Sequence, residues 1–219
     1  MIDDHRVADR ISEIRDRIDR RGRSGVRLVA VTKGFGVEAM TAAVRAGCSD
    51  VGENYAQELI AKMSQFPDGV ERPTVHFIGR LQSNKVRAVS PLVGWWHTID
   101  RRELVTEVAR RSPGARVLVQ VNATGEIDKG GCRPHDVEGL VADAAAAGLD
   151  PVGLMTVGPT DGDVTETRRV FRACALLAHD LGLHELSMGM TNDLDIALDA
   201  GSTIVRVGSA IFGDRPPAT

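Results

Sequence analysis

Several features are scarce in this chain of 219 residues, and each scarcity excludes a class of protein. Cysteine occurs three times, at Cys48, Cys132 and Cys174. An odd number of widely separated thiols fits neither a disulfide framework nor the paired spacing of a zinc site. Three free thiols in a reducing cytoplasm are expected, with no metal. Net charge is small, −3 from 27 Lys and Arg against 30 Asp and Glu, so nothing marks a nucleic-acid surface or an anionic-membrane surface. No apolar run approaches the roughly 20 residues of a membrane span. The start, Met1-Ile2-Asp3-Asp4-His5-Arg6, lacks the apolar core of a signal peptide. Aromatic residues amount to 4% with a single tyrosine, while glycine numbers 23. That combination suits many tight turns between strands and helices.

What remains is ordinary globular material, 42% hydrophobic and 26% charged, long enough to bury a full core. Val7, Ile11, Ile14 and Ile18 recur at steps of four, three and four among Asp, Glu and Arg, which predicts an amphipathic helix within 1–22. From there a pattern repeats. Strands are predicted near 27–32, 50–52, 74–79, 95–99, 116–122, 151–157, 184–188 and 203–207. Helical stretches lie between and after them at 37–47, 54–65, 83–90, 101–111, 134–148, 164–182 and 192–200. Alternation of this kind builds right-handed βαβ units and a parallel sheet. Eight strands about 25 residues apart fit a closed (β/α)8 TIM-type barrel rather than an open sheet. The first loop also lacks a dinucleotide-binding glycine fingerprint. With no linker or change of composition, 1–219 is expected to be one α/β domain, its first helix outside the barrel.

Chemistry in such a barrel sits at the C-terminal ends of the strands. The first strand, Leu28-Val29-Ala30-Val31-Thr32-Lys33, ends in a lysine that either snorkels to solvent or has a task that offsets its burial. After the second strand, Asn54 either caps the next helix or offers its amide to a ligand. His76 lies among apolar residues, as a satisfied interior group or a catalyst. Leu186-Ser187-Met188-Gly189-Met190-Thr191 and Gly208-Ser209 are small, hydroxyl-bearing loops after strands seven and eight. They are either plain turns or the usual phosphate cradle of this barrel, and their coincidence favours the cradle. Arg206 alternates with Val205 and Val207. If it faces inward it needs a structural carboxylate or a cofactor ring nitrogen.

An amine, a phosphate cradle and an interior arginine together suit pyridoxal 5′-phosphate, which has an aldehyde, a phosphate and a pyridine nitrogen. The sequence resembles the pyridoxal-phosphate homeostasis proteins, the YggS/PROSC family. The resemblance rests on Val31-Thr32-Lys33, on Val51 to Glu58, on His76-Phe77-Ile78-Gly79-Arg80-Leu81-Gln82-Ser83-Asn84-Lys85, on Gly153-Leu154-Met155-Thr156, on Leu186 to Thr191 and on Gly201 to Gly213. It implies a barrel like the N-terminal domain of alanine racemase, with pyridoxal phosphate as a Schiff base on Lys33. It also implies cofactor contacts from Asn54, His76, Met155, Ser187, Met188, Gly189, Thr191, Gly208 and Ser209, with Arg206 at the pyridine nitrogen. The chain departs from the family at Gly34-Phe35-Gly36, where a proline is usual soon after the lysine. It also has Thr191 for a common Ser, Ser209 for a common Thr, and Asp195 for a common Glu.

The resemblance implies cofactor homeostasis without established turnover, in a monomer that passes the cofactor to apo-enzymes. A racemase needs a second base on the opposite face of the cofactor, and the only tyrosine, Tyr55, starts a helix near the mouth. An arginine at the pyridine nitrogen also weakens the electron sink. No catalytic residue is therefore assigned. Two alternatives stay open: an amino-acid racemase or slow transaminase using the same Schiff base, and a sugar-phosphate barrel using Lys33 as an aldolase-type amine.

Overall fold

The first helix begins where Asp3 accepts hydrogen bonds from the backbone N–H groups of His5 and Arg6, which caps α1 (Asp4–Asp19). Val7, Ile11, Ile14 and Ile18 are the buried residues of that helix, the stripe expected from their spacing. Each such side chain contributes about 1.5–3 kcal/mol by leaving water. The computed structural model describes residues 2–215; the expected unit 1–219 extends past these at both ends, where Met1 and 216–219 lie outside the described residues.

Eight parallel strands follow: β1 (Arg27–Val31), β2 (Asp50–Glu53), β3 (Thr74–Phe77), β4 (Trp95–Ile99), β5 (Arg116–Gln120), β6 (Asp150–Met155), β7 (Glu185–Ser187) and β8 (Ile204–Val207). Each pairs with its sequence neighbour, and β8 closes on β1 with Arg27 opposite Ile204 and Ala30 opposite Val207. The connecting helices are α2 (Val37–Arg45), α3 (Ala56–Ser64), α4 (Ser83–Val89), α5 (Arg102–Arg111), α6 (Val137–Ala146), α7 (Val164–Asp180) and α8 (Leu194–Asp199). The chain is thus a closed (β/α)8 barrel, as its alternation predicts. The predicted helical stretch 134–148 opens with a 3-10 turn at Pro134–Asp136 ahead of α6, and one short element has no signal in the pattern, α9 (Ser209–Phe212) directly after β8. Helix α1 lies outside the barrel against α2 and α9. Asp195, a departure from the family, pairs there with Arg17 at 2.7 Å and Arg21 at 3.3 Å, tying α8 to α1.

Strand alternation sorts the side chains into two layers. Leu28, Ala30, Val51, Val75, Phe77, Trp96, Val117 and Val119 face outward and meet the helices in the main core. Val29, Trp95, Leu118, Met155 and Ile204 form a separate apolar cluster inside the barrel. The tryptophan pair therefore splits as expected, one ring in each layer. Polar residues share the interior: Asp50, His76, His97, Ser187 and Arg206 are all buried. Among the described residues, no helix is long and apolar enough to cross a membrane.

Candidate functional site

Val29, Val31 and Lys33 have the same strand parity, so the alternation that buries Val29 inside the barrel carries Lys33 into its mouth. The turn that follows is held from two sides. The Phe35 N–H donates to the Thr32 carbonyl at 3.1 Å, and the Gly34 N–H donates to Glu58 at 2.8 Å. Gly34 has φ +77°, and a Cβ there would meet the Arg215 side chain at 2.9 Å. The Gly34-Phe35-Gly36 departure thus has a local reason. Phe35 packs on Phe212 with ring centroids 5.5 Å apart, so this loop is anchored to α9.

Behind the lysine lies a buried ion pair. Lys62 of α3 donates to Glu53 at 2.6 Å and to the Thr32 carbonyl at 2.8 Å, and the Thr32 hydroxyl donates to the same Glu53 oxygen at 2.5 Å. Burial pushes the Glu53 carboxyl above its ordinary value, and the Lys62 ammonium and Thr32 hydroxyl oppose the rise. Lys33 itself enters none of the ion pairs among the described residues. Burial lowers its pKa below the ordinary 10.5, the charges of Arg215 and Arg206 lower it further, and Glu53 and Glu58 pull the other way.

Lys33 opens onto a cavity of about 670 Å³ that is also lined by Asn54, Met155, Thr191, Arg206 and Ser209. Arg206 is 4% exposed. Its guanidinium donates to Ser187 Oγ at 2.6 Å and to the Thr156 carbonyl at 3.0 Å. No carboxylate pairs with it among the described residues, so the structural partner weighed for it is a hydroxyl and a carbonyl. Burial brings its pKa down to about 10, which leaves it charged at neutral pH. The Asn54 Oδ1 is buried without a hydrogen-bond partner. Asn54 does not cap α3, since Tyr55 occupies that position without a side-chain bond. A Cβ on Gly79 would lie 2.0 Å from the Asn54 carbonyl, so only glycine allows β3 to approach this backbone. On the far wall the Ser209 hydroxyl donates to Thr191 Oγ1 at 3.1 Å, which joins the loops after β7 and β8. Gly208 lines the same wall, close enough to β1 that a Cβ would lie 3.2 Å from the Val31 carbonyl.

Of the expected site residues, Lys33, Asn54, Met155, Thr191, Arg206, Gly208 and Ser209 meet at this cavity. Four do not line it. His76 lies deeper in the barrel, hydrogen-bonded to Asp50 and His97 at 2.8 Å each. Ser187 is also deeper, between His97 at 2.9 Å and Arg206. Met188 has the opposite parity and is fully buried in the outer core. Gly189 serves the turn: at φ +95° a Cβ would meet that of Ala197 at 2.5 Å. Adjacent residues of a strand cannot both reach its interior, which is why a continuous Ser-Met-Gly run misleads. Tyr55 is 54% exposed and lines a neighbouring cavity with Arg80, Lys85 and Arg101. Lys129 ties its loop down, bonding to the Gly158 carbonyl and to Glu126.

The sequence reading missed His97, whose interior parity follows from Trp95, and Lys62, a lysine on a helix face with nothing local to mark it. It also missed Arg215, whose role depends on the chain returning past β1.

Comparison with known proteins gives the same picture. The family model described as alanine racemase, N-terminal domain, matches residues 2–216. The pyridoxal phosphate homeostasis protein of Vibrio cholerae is 39% identical over 207 residues, covering 89% of this chain and 88% of that protein. PipY of Synechococcus elongatus has been solved without and with pyridoxal phosphate. The first structure superimposes with a TM-score of 0.87 at 30% identity, covering 94% of this chain and all of that one. The second gives 0.85 at 29% identity with the same coverage. By its sequence and its barrel, this chain belongs to the pyridoxal phosphate homeostasis family of alanine racemase N-terminal-type proteins.

Proposed function

We propose that this protein binds pyridoxal 5′-phosphate reversibly on Lys33 and serves its homeostasis without catalytic turnover. The observation that carries the reading is a half-buried amine that, among the described residues, has no ion-pair partner and faces across one cavity a buried arginine with no carboxylate paired to it there. The orphaned Asn54 Oδ1 and the joined hydroxyls of Thr191 and Ser209 fit the same ligand. The relative PipY, solved with this cofactor bound, supports it.

When bound, pyridoxal phosphate supplies an aldehyde that condenses reversibly with a neutral amine. The depressed pKa of Lys33 leaves more of that amine neutral at a given pH than an exposed lysine would have. Arg206 has only donors to offer, so it would suit an unprotonated pyridine nitrogen and disfavour its protonation. Thr191, Gly208 and Ser209 would hold the phosphate, Asn54 would offer its amide, and Met155 would add an apolar contact. Tyr55, exposed in the neighbouring cavity, is not in position to act as a second base. Both features favour holding over turnover. The protein is then a cytoplasmic monomer that delivers the cofactor to apo-enzymes.

The test is the visible absorbance of the purified protein with added pyridoxal phosphate. A Schiff-base band is expected, and Lys33→Ala abolishes it. A band that survives in Lys33→Ala, or no band in the unsubstituted protein, overturns the reading. Exchange of the α-hydrogen of L- or D-amino acids in deuterated water would make the protein an enzyme instead.

A further inference from the structure

The barrel interior holds a hydrogen-bonded chain that runs from the end of the barrel opposite Lys33 up to the cavity. Arg206 Nη1 bonds Ser187 Oγ at 2.6 Å, and Ser187 Oγ bonds His97 Nδ1 at 2.9 Å. His97 Nε2 bonds His76 Nδ1 at 2.8 Å, and His76 Nε2 bonds Asp50 Oδ1 at 2.8 Å. The five residues come from β8, β7, β4, β3 and β2, and all are buried. Asp50 opens β2 at the lower end, where Arg27 bonds the same carboxylate oxygen at 3.2 Å and Ser49 the other at 3.1 Å.

Chemistry at the two ends imposes one direction on the chain. A guanidinium only donates, so Ser187 accepts from Arg206 and has its own hydrogen left to give. A carboxylate only accepts, so the His76 Nε2 carries a hydrogen. A neutral His76 then has a bare Nδ1, so His97 Nε2–H donates to it. A neutral His97 has a bare Nδ1, which accepts the Ser187 hydroxyl. Four bonds point the same way with no donor facing a donor. Neutral rings are what the site favours: burial lowers the pKa of His76 despite Asp50, and lowers that of His97 further.

We infer that Asp50 sets the tautomers of His76 and His97 and, through them, the Ser187 hydroxyl that holds the Arg206 guanidinium. Asp50 is then a positioning residue for the cofactor ring, a role that rests on the proposed function, whereas its control of the tautomers stands without it. An asparagine at 50 would not reverse the chain, because Arg27 donates to the same oxygen as His76 and holds an amide oxygen in place there. With Asp50 and Ser187 both removed, neither end fixes the chain, and the His76 hydrogen is free to move to Nδ1.

The experiment is ¹⁵N histidine NMR on cofactor-free protein, with the two rings assigned through His76→Gln and His97→Gln. In the unsubstituted protein both rings are expected to carry hydrogen on Nε2. Ser187→Ala cuts the chain above His97 and leaves Asp50 alone to set the rings, so both tautomers are expected to persist. A changed His97 tautomer in Ser187→Ala assigns control to Arg206 and overturns the inference. Adding Asp50→Ala to that variant removes both ends, and hydrogen is expected to appear on Nδ1 of His76 or of His97, two hydrogen bonds of ~2.8 Å up the chain from position 50. Unchanged tautomers in the double variant overturn the inference; should it not fold, Ser187→Ala alone decides. A second arm adds pyridoxal phosphate to Asp50→Ala. Full loading with a shifted visible circular-dichroism band supports the positioning role, and an unshifted band overturns it. If the unsubstituted protein shows no band, the cofactor reading fails while the tautomer result stands.

Discussion

Lys33 is useful only when neutral, and its surroundings work toward that. Burial disfavours its charge, and Arg215 and Arg206 add repulsion that Glu53 and Glu58 only partly oppose. The rate at which the visible band grows after mixing with pyridoxal phosphate is therefore expected to rise with pH about a midpoint below 10.5, the ordinary lysine value. Arg215→Gln removes one repelling charge and moves the midpoint upward. Stopped-flow absorbance across a pH series measures both. A midpoint at or above 10.5 would mean that the amine is not perturbed in the way its burial implies.

At the scale of elements, the β1 end, the β2 end and α3 are fastened by one buried contact set. Lys62 is 4% exposed and Glu53 fully buried, and between them they bind the Thr32 carbonyl and hydroxyl next to Lys33. Removing one partner leaves the other charge uncompensated, at a cost of about 3–5 kcal/mol. Lys62→Met is expected to lose that much stability in urea unfolding at pH 7, and less in acid, where Glu53 is protonated. Replacing both with Met restores most of the loss, because the uncompensated charge is gone. Equal losses in the single and double variants would show that packing rather than charge holds the joint. This contact also marks the limit of what the sequence discloses. The strands and helices were legible because period-two and period-3.6 patterns are local. Lys33, Arg206, Thr191 and Ser209 were legible because strand ends of a barrel share one face. Lys62 and His97 were not: Glu53 meets Lys62 only when α3 folds back onto the end of β2, and His76 and Ser187 meet His97 only inside the closed barrel. Ser187 and Met188 lie off the cavity wall because the strand turns the members of one motif to opposite sides.

For the whole molecule, the interior chain makes stability depend on pH in a window set by the histidines. His5, His135, His179 and His184 are exposed, so only His76 and His97 are held neutral by burial. In the unfolded chain both take up protons near pH 6.5. Below that value the unfolded state binds more protons than the folded one, so stability falls as pH drops, and it is fully present above it. Each histidine contributes up to about 1.4 kcal/mol per pH unit until its own folded-state value is reached. Glu53 works against this: held above its ordinary 4.5 by burial, it binds a proton in the folded state first and offsets part of the loss at the acid end. Asp50 does not enter until lower pH, because against its burial the hydrogen bonds from His76 and Ser49 and the Arg27 charge keep it below 3.8. The net expectation is that stability falls as pH drops below about 6.5. Urea midpoints at pH 5, 6, 7 and 8 measure it. In the variant carrying both His76→Gln and His97→Gln that loss is expected to shrink, since the folded state no longer holds protons off two buried imidazoles. A flat profile in the unsubstituted protein, or one that the double substitution leaves unchanged, would mean that the buried imidazoles are already protonated at neutral pH and that the chain from Asp50 to Arg206 does not have the polarity assigned to it.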